Sequence, residues 1–178
     1  MLIILFCYIL LLLVILLAIF WLTNLWVYRK FAPWVPIKRR DIERIFALAE
    51  LKPNQVFYDL GCGTGWMVIS ASREFGAKAI GLEINLILFW ICKIRQIFYG
   101  GKNLVFKFRD LYKEELSSAD VVYFYGIPTK NGLVSKKLRQ ELKPGAKIIS
   151  YTFSLPGWTP VLVDQPTLHD KPIFIYRA

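Results

Sequence analysis

Val56-Phe57-Tyr58-Asp59-Leu60-Gly61-Cys62-Gly63-Thr64-Gly65 runs out of an apolar strand into the start of a helix. Its three glycines, at alternate positions, let the backbone turn tightly and approach a ligand with no Cβ in the way. In an open α/β sheet such a ligand lies beyond the carboxyl ends of the strands. Working outward, the periodicity predicts strands at 55–60, 77–83, 104–108, 121–125 and 146–153, with helices at 65–75, 86–99 and 130–142 between them. Two further strands, 161–164 and 172–176, follow with no helix between them, which predicts an antiparallel hairpin at one edge. Upstream, Asp41 is placed to cap a helix whose apolar residues are Ile42, Ile45, Phe46 and Ala49. The fold class is therefore α/β: a Rossmann-like, doubly wound, mostly parallel seven-stranded sheet with a C-terminal antiparallel hairpin.

The first 28 residues belong to a different regime. They carry no charge, and only Thr23 and Asn24 fall outside the apolar set. As a helix they rise about 42 Å at 1.5 Å per residue, enough to cross a hydrocarbon layer of about 30 Å with tilt. No later stretch approaches the roughly 20 uncharged apolar residues of a second span. A cleaved signal peptide would have a basic start, a short apolar run and small residues at its cut site; here Trp21, Trp26, Tyr28 and Trp34 stand there instead, which favours a retained transmembrane helix. Arg29, Lys30, Lys38, Arg39 and Arg40 follow before the first acid, Asp41. Basic residues flanking a span stay on the cytoplasmic side, so the expectation is a single-pass membrane protein with its globular domain facing the cytoplasm. The chain divides into an anchor at 1–28, a basic juxtamembrane linker at 29–40 and one domain at 41–178, the anchor contacting the lipid bilayer. Because five of the 23 basic residues have this membrane explanation, the formal charge of +10 does not argue for nucleic acid, and none is expected as partner.

Composition narrows the chemistry. His169 is the only histidine, and Cys7, Cys62 and Cys92 are far apart, so no metal site is expected and a serine-histidine triad is excluded in practice. Catalysis falls to carboxylates, tyrosines, backbone groups or a bound cofactor.

Three acids mark which cofactor. Glu83 ends the second strand, 22 residues after Gly61, where a carboxylate accepts both hydrogen bonds of a ribose diol. Asp110 follows the third strand, where the adenine edge would lie. Asp59 precedes the glycines, where a carboxylate repels a pyrophosphate and attracts an ammonium or sulfonium. The third glycine of a dinucleotide fingerprint is replaced by Trp66, too bulky for close helix-to-strand packing. S-adenosyl-L-methionine carries both cations and no phosphate, and the charge pattern selects it. The expected cofactor-binding set is Tyr58, Asp59, Gly61, Cys62, Gly63, Gly65, Glu83, Ile84, Asp110 and Leu111.

At this point the chain resembles the class I, seven-strand S-adenosylmethionine-dependent methyltransferases. Within them it is most similar to the small membrane-anchored group of protein-lysine methyltransferases that act on the ADP/ATP translocase and the ATP synthase c subunit, and their prokaryotic relatives. The segments that carry this are Ala32-Pro33-Trp34-Val35-Pro36, the glycine run, Gly81-Leu82-Glu83-Ile84-Asn85, Tyr125-Gly126-Ile127-Pro128 and Phe153-Ser154-Leu155-Pro156-Gly157-Trp158. The chain departs from the group at Thr64 and Trp66, where aspartate and arginine are common, and at Tyr151 and Thr152. The resemblance implies methyl transfer to a protein lysine. An acceptor channel is expected at Tyr125, Pro128, Phe153 and Trp158. Two other readings stay open at this stage: methylation of a lipid or small membrane-associated molecule, and a non-catalytic binding module.

Overall fold

The computed structural model describes residues 2–30 and 32–178, apart from the side chains of Asn24, Trp26 and Lys30. The roles read for Trp26 and Lys30 at the end of the anchor thus lie outside the described residues. Helix α1 runs from Leu2 to Lys30 and is long and apolar enough to cross a membrane; most of its side chains are exposed. Residues 32–38 are neither helix nor strand and lead through an extended Lys38 into α2, Arg39–Ala49. The domain then alternates: β1 Val56–Leu60, α3 Trp66–Phe75, β2 Lys78–Glu83, α4 Leu86–Tyr99, β3 Leu104–Phe108, a 3-10 turn at Leu111–Lys113, β4 Val121–Phe124, α5 Pro128–Glu141, β5 Lys147–Tyr151, β6 Leu162–Asp164 and β7 Ile173–Arg177.

These strands form one seven-stranded sheet in the order β3-β2-β1-β4-β5-β7-β6. The first five are parallel; β7 runs antiparallel to both β5 and β6, so the final hairpin lies at the edge with β7 inserted next to β5. The order reverses between β1 and β4, and the crevice outside their carboxyl ends is where such sheets bind ligands.

Alternation along the strands divides the core in two. Phe57, Tyr123, Ile149 and Tyr151 pack with Phe46 of α2, Val68 of α3 and Cys92 of α4 on one face. Tyr58, Leu60, Phe124 and Ile148 pack with Val134 and Leu138 of α5 on the other. Because successive strand side chains point to opposite faces, Asp59 shares the face of Phe57, and Tyr58 does not.

One local expectation is corrected. Asp41 does not cap α2, which begins at Arg39 after an extended Lys38 with no side-chain cap. Asp41 sits in the first turn, buried, and accepts hydrogen bonds from the Tyr151 hydroxyl at 2.8 Å and the Arg44 guanidinium at 2.9 Å. A negative charge in a first turn interacts favourably with the helix dipole, so the residue type fits the position by another route.

Candidate functional site

The glycine run turns as its residue types require. Gly61, Gly63 and Gly65 all have positive φ, at 89°, 56° and 83°. The amides of Gly61 and Cys62 donate to the Leu82 carbonyl at 3.0 and 2.9 Å, tying the loop to β2. A Cβ on Gly63 would lie 2.4 Å from Cδ1 of Trp34, and one on Gly65 would lie 2.6 Å from Cζ of Phe106. Trp34, from the irregular segment after α1, thus lies directly on the loop.

Glu83, at the end of β2, braces the same loop. Its Oε2 accepts from the Gly63 amide at 2.8 Å, and its Oε1 accepts from the amides of Ile84 at 2.8 Å and Asn85 at 2.7 Å. Burial pushes its pKa up to about 7, against these three amides, which favour the charged form. Asp59 is 3% exposed, and burial followed by repulsion from Glu83 raises its pKa well above the usual carboxylate range. No cation or hydrogen-bond donor among the described residues offsets that cost. Two buried carboxylates facing one space are poised for a positively charged ligand.

Asp110 has two roles. It caps the 3-10 turn, accepting from the Tyr112 amide at 3.0 Å, and it lines the same space. Burial and the Asp110 charge push the Tyr112 phenol up to about 12, and its buried hydroxyl has no hydrogen-bond partner. Cys62 faces Cys92 at 4.0 Å, and Cys92 Sγ donates to the Gly63 carbonyl at 3.1 Å; burial raises the Cys62 thiol well above its usual pKa, so it serves as wall and not as nucleophile.

The space is a cavity of ≈ 330 Å3, within the roughly 300–1,000 Å3 range of ligand sites. Asp59, Gly61, Cys62, Gly63, Glu83, Ile84, Asp110, Leu111 and Tyr125 of the expected residues line it. Tyr58 and Gly65 do not: Tyr58 is on the opposite face of the sheet, and Gly65 is covered by Phe106. Nor do Pro128, Phe153 and Trp158. Pro128 is the exposed first residue of α5, a position suited to its missing amide proton. Thr152 turns the chain with φ 75°, and the following segment folds over α5, where Trp158 donates to Ser135 Oγ at 3.0 Å and meets Tyr176.

Several lining residues lie outside the expected cofactor-binding and acceptor sets. Val27 at the end of α1 and the segment from Ala32 to Ile37 form one wall, so the linker is part of the site. Arg95 of α4 donates to the Thr64 carbonyl at 2.7 Å and lies over the Trp66 ring at 4.6 Å, which fixes the loop from outside. Tyr123 of β4 lines the cavity together with the expected Tyr125, which follows the strand's last residue. The Tyr125 ring meets Tyr151 edge-on at 4.9 Å, and Tyr151 is held by Asp41, so a line of phenols leads from the cavity to α2.

This geometry fits S-adenosylmethionine: a glycine cradle, a buried acid where a ribose would bond, and a second buried acid without a counter-charge. The comparisons agree. The model of the ANTKMT methyltransferase domain family matches residues 59–162. A protein-lysine N-methyltransferase of Saccharolobus islandicus (strain REY15A) is 32% identical over 136 residues, 75% of this chain and 84% of that one. A Mus musculus lysine N-methyltransferase named for the ATP synthase c subunit is 32% identical over 129 residues, 72% of this chain; the chain spans about half of the mouse protein, 51%. Among solved structures, an RNA methyltransferase from Salinibacter ruber in complex with S-adenosyl-L-homocysteine has a TM-score of 0.76 and 30% identity, over 80% of this chain and 93% of that one. The chain belongs to the ANTKMT methyltransferase domain family, within the class I S-adenosylmethionine-dependent methyltransferases, and S-adenosylmethionine is its cofactor.

Proposed function

We propose that this family member is a membrane-anchored enzyme that methylates a lysine of a protein, with α1 as a single-pass anchor at 1–28, the basic linker at 29–40 and the domain at 41–178 on the cytoplasmic side. The observation that carries the acceptor is that relatives matching about three quarters of the chain at 32% identity are named for protein-lysine methylation. The aromatic wall of the cavity supports it, and the uncharged stretch of α1 up to Tyr28, followed by Arg29, Lys30 and the basic linker, supports the anchor.

When bound, the cofactor supplies a methyl group on a cationic sulfur, which needs alignment more than activation. Glu83 would hold the ribose while bracing the loop, Asp59 would counter the positive charge, and Asp110 with Leu111 would border the adenine. A lysine acceptor, with a reference pKa of about 10.4, must lose a proton before it attacks. Tyr123 and Tyr125 surround it with aromatic carbon, which disfavours the ammonium, and the Tyr125 oxygen accepts a hydrogen bond that orients the amine. Trp34 and Val27, which wall the same cavity, exclude water from it.

The test is incubation of the full-length protein with methyl-labelled cofactor and a membrane fraction, with the Asp59→Asn variant as control. Label recovered as methyl-lysine after protein hydrolysis supports the proposal. Label only in the lipid extract or in RNA overturns it; the RNA arm matters because the Salinibacter ruber neighbour is named an RNA methyltransferase.

A further inference from the structure

Helix α4 is oriented against the usual rule for a surface helix. Its buried residues are only Leu88 and Cys92, while Leu86, Trp90, Ile94, Ile97 and Phe98 form one outward stripe at helical spacing, 50–80% exposed. Phe108 of the edge strand β3, 52% exposed, extends the stripe: Phe89 contacts both Trp90 and Phe108, with ring centroids at 5.9 and 5.6 Å. Contiguous apolar surface of this kind marks a binding face.

Two observations identify what covers it. From Ile84 to Arg109 the chain carries five basic residues, Lys93, Arg95, Lys102, Lys107 and Arg109, and no acid. Lys107 and Arg109 pair with Glu114, which leaves Lys93, Arg95 and Lys102 as the positive charge beside the stripe. An apolar, tryptophan-bearing face with such basic neighbours is the composition of a helix lying in the headgroup region of an anionic bilayer. The stripe also begins where the first helix arrives. Asn85, which caps α4 by accepting from the amides of Ile87 and Leu88, donates to Thr23 of α1 at 3.4 Å. The membrane-spanning reading of α1, on which this inference rests, therefore brings the start of α4 to the bilayer surface.

We propose that the outer face of α4, with Phe108, is a second membrane contact that lies in the interface of an anionic bilayer. At 1.5 Å per residue the helix lays down about 21 Å of apolar surface. Because Leu88 and Arg95 of the same helix line the cofactor cavity, this contact sets the cavity beside the headgroups, facing acceptors that emerge at the membrane surface.

The experiment uses the full chain with Cys7→Ser, which leaves only the two buried thiols, and a nitroxide at Ile97→Cys or, separately, at Phe98→Cys. Both positions are at least 74% exposed, so the label does not disturb the core. In phosphatidylcholine–phosphatidylserine vesicles, power saturation should show each label several-fold more accessible to oxygen than to a water-soluble nickel chelate. A label at Lys136→Cys, an exposed position of α5, should show the reverse. A chain that floats with the vesicles while labels 97 and 98 stay accessible to the chelate overturns the α4 contact and leaves the anchor standing. A chain that does not float overturns both. Spin–spin broadening between copies overturns lipid contact in favour of self-association, and protection only when a membrane protein substrate is added overturns it in favour of that protein.

Discussion

Trp34 rests against Gly63: a Cβ on the glycine would fall 2.4 Å from the indole Cδ1, so no other residue fits beneath the ring. Gly63 also has φ 56°, which a side chain disfavours by about 1–2 kcal/mol. The Gly63→Ala variant is therefore expected to weaken cofactor binding by at least about tenfold in calorimetry. Combining it with Trp34→Ala should restore part of the loss. The two changes are coupled through one contact, and a double-mutant cycle that is additive would contradict the packing.

The acids make binding depend on pH. Glu83 has a folded-state pKa of about 7 against an ordinary 4.5, so between these values the folded chain holds a proton that the unfolded chain has released. The Glu83 contribution to stability therefore falls as pH rises through that window and is constant above about 7, while Asp59, whose pKa is raised as well, acts in the same direction. A cationic ligand favours the ionised carboxylates, so cofactor affinity should rise from pH 6 to 8 with release of protons. Calorimetry in buffers of different ionisation enthalpy measures that release, and Glu83→Gln should flatten both the stability profile and the affinity profile.

Tyr151→Phe removes the hydroxyl that donates to Asp41 at 2.8 Å and leaves the ring against Tyr125. Its expected effect is on turnover: kcat down about tenfold, in keeping with about 1.5 kcal/mol for a hydrogen bond to a charged group, with cofactor Kd nearly unchanged. Equal losses in both would place Tyr151 in the cofactor site instead.

Lys147 is buried at the start of β5 and closes the C-terminus of α2, donating to the carbonyls of Ala49 at 2.6 Å and Leu48 at 3.1 Å and pairing with Glu50 at 2.9 Å. Lys147→Met should leave those acceptors unpaired and cost about 2–3 kcal/mol. Thermal unfolding should then shift down by roughly 5–10 °C for a domain of this size.

Much of this site was readable because its determinants are local. Asp59, the glycines and Glu83 sit at strand ends that apolar periodicity and glycine spacing locate to within a residue or two. Trp34 and Val27 were not readable as walls, since the contact of Trp34 crosses some 30 residues of chain to Gly63, and the place of Val27 in the lining is set by how the first helix meets the domain. Tyr58 stands next to Asp59 in sequence, yet strand alternation sends it to the other face. The segment from Phe153 to Trp158 follows a strand whose end borders the site, and a single left-handed turn at Thr152 carries it over α5. The outward face of α4 was equally hidden: an apolar stripe reads the same whether it meets a core or remains uncovered.

Val27 belongs to α1 and also to the cavity lining. What resembles a leash is thus a piece of the vessel. Trading the first helix for an unrelated hydrophobic segment, or clipping the chain before Trp34, would breach the container as well as change its address, and an occupant inside would in turn stiffen the angle at which that helix leaves the domain.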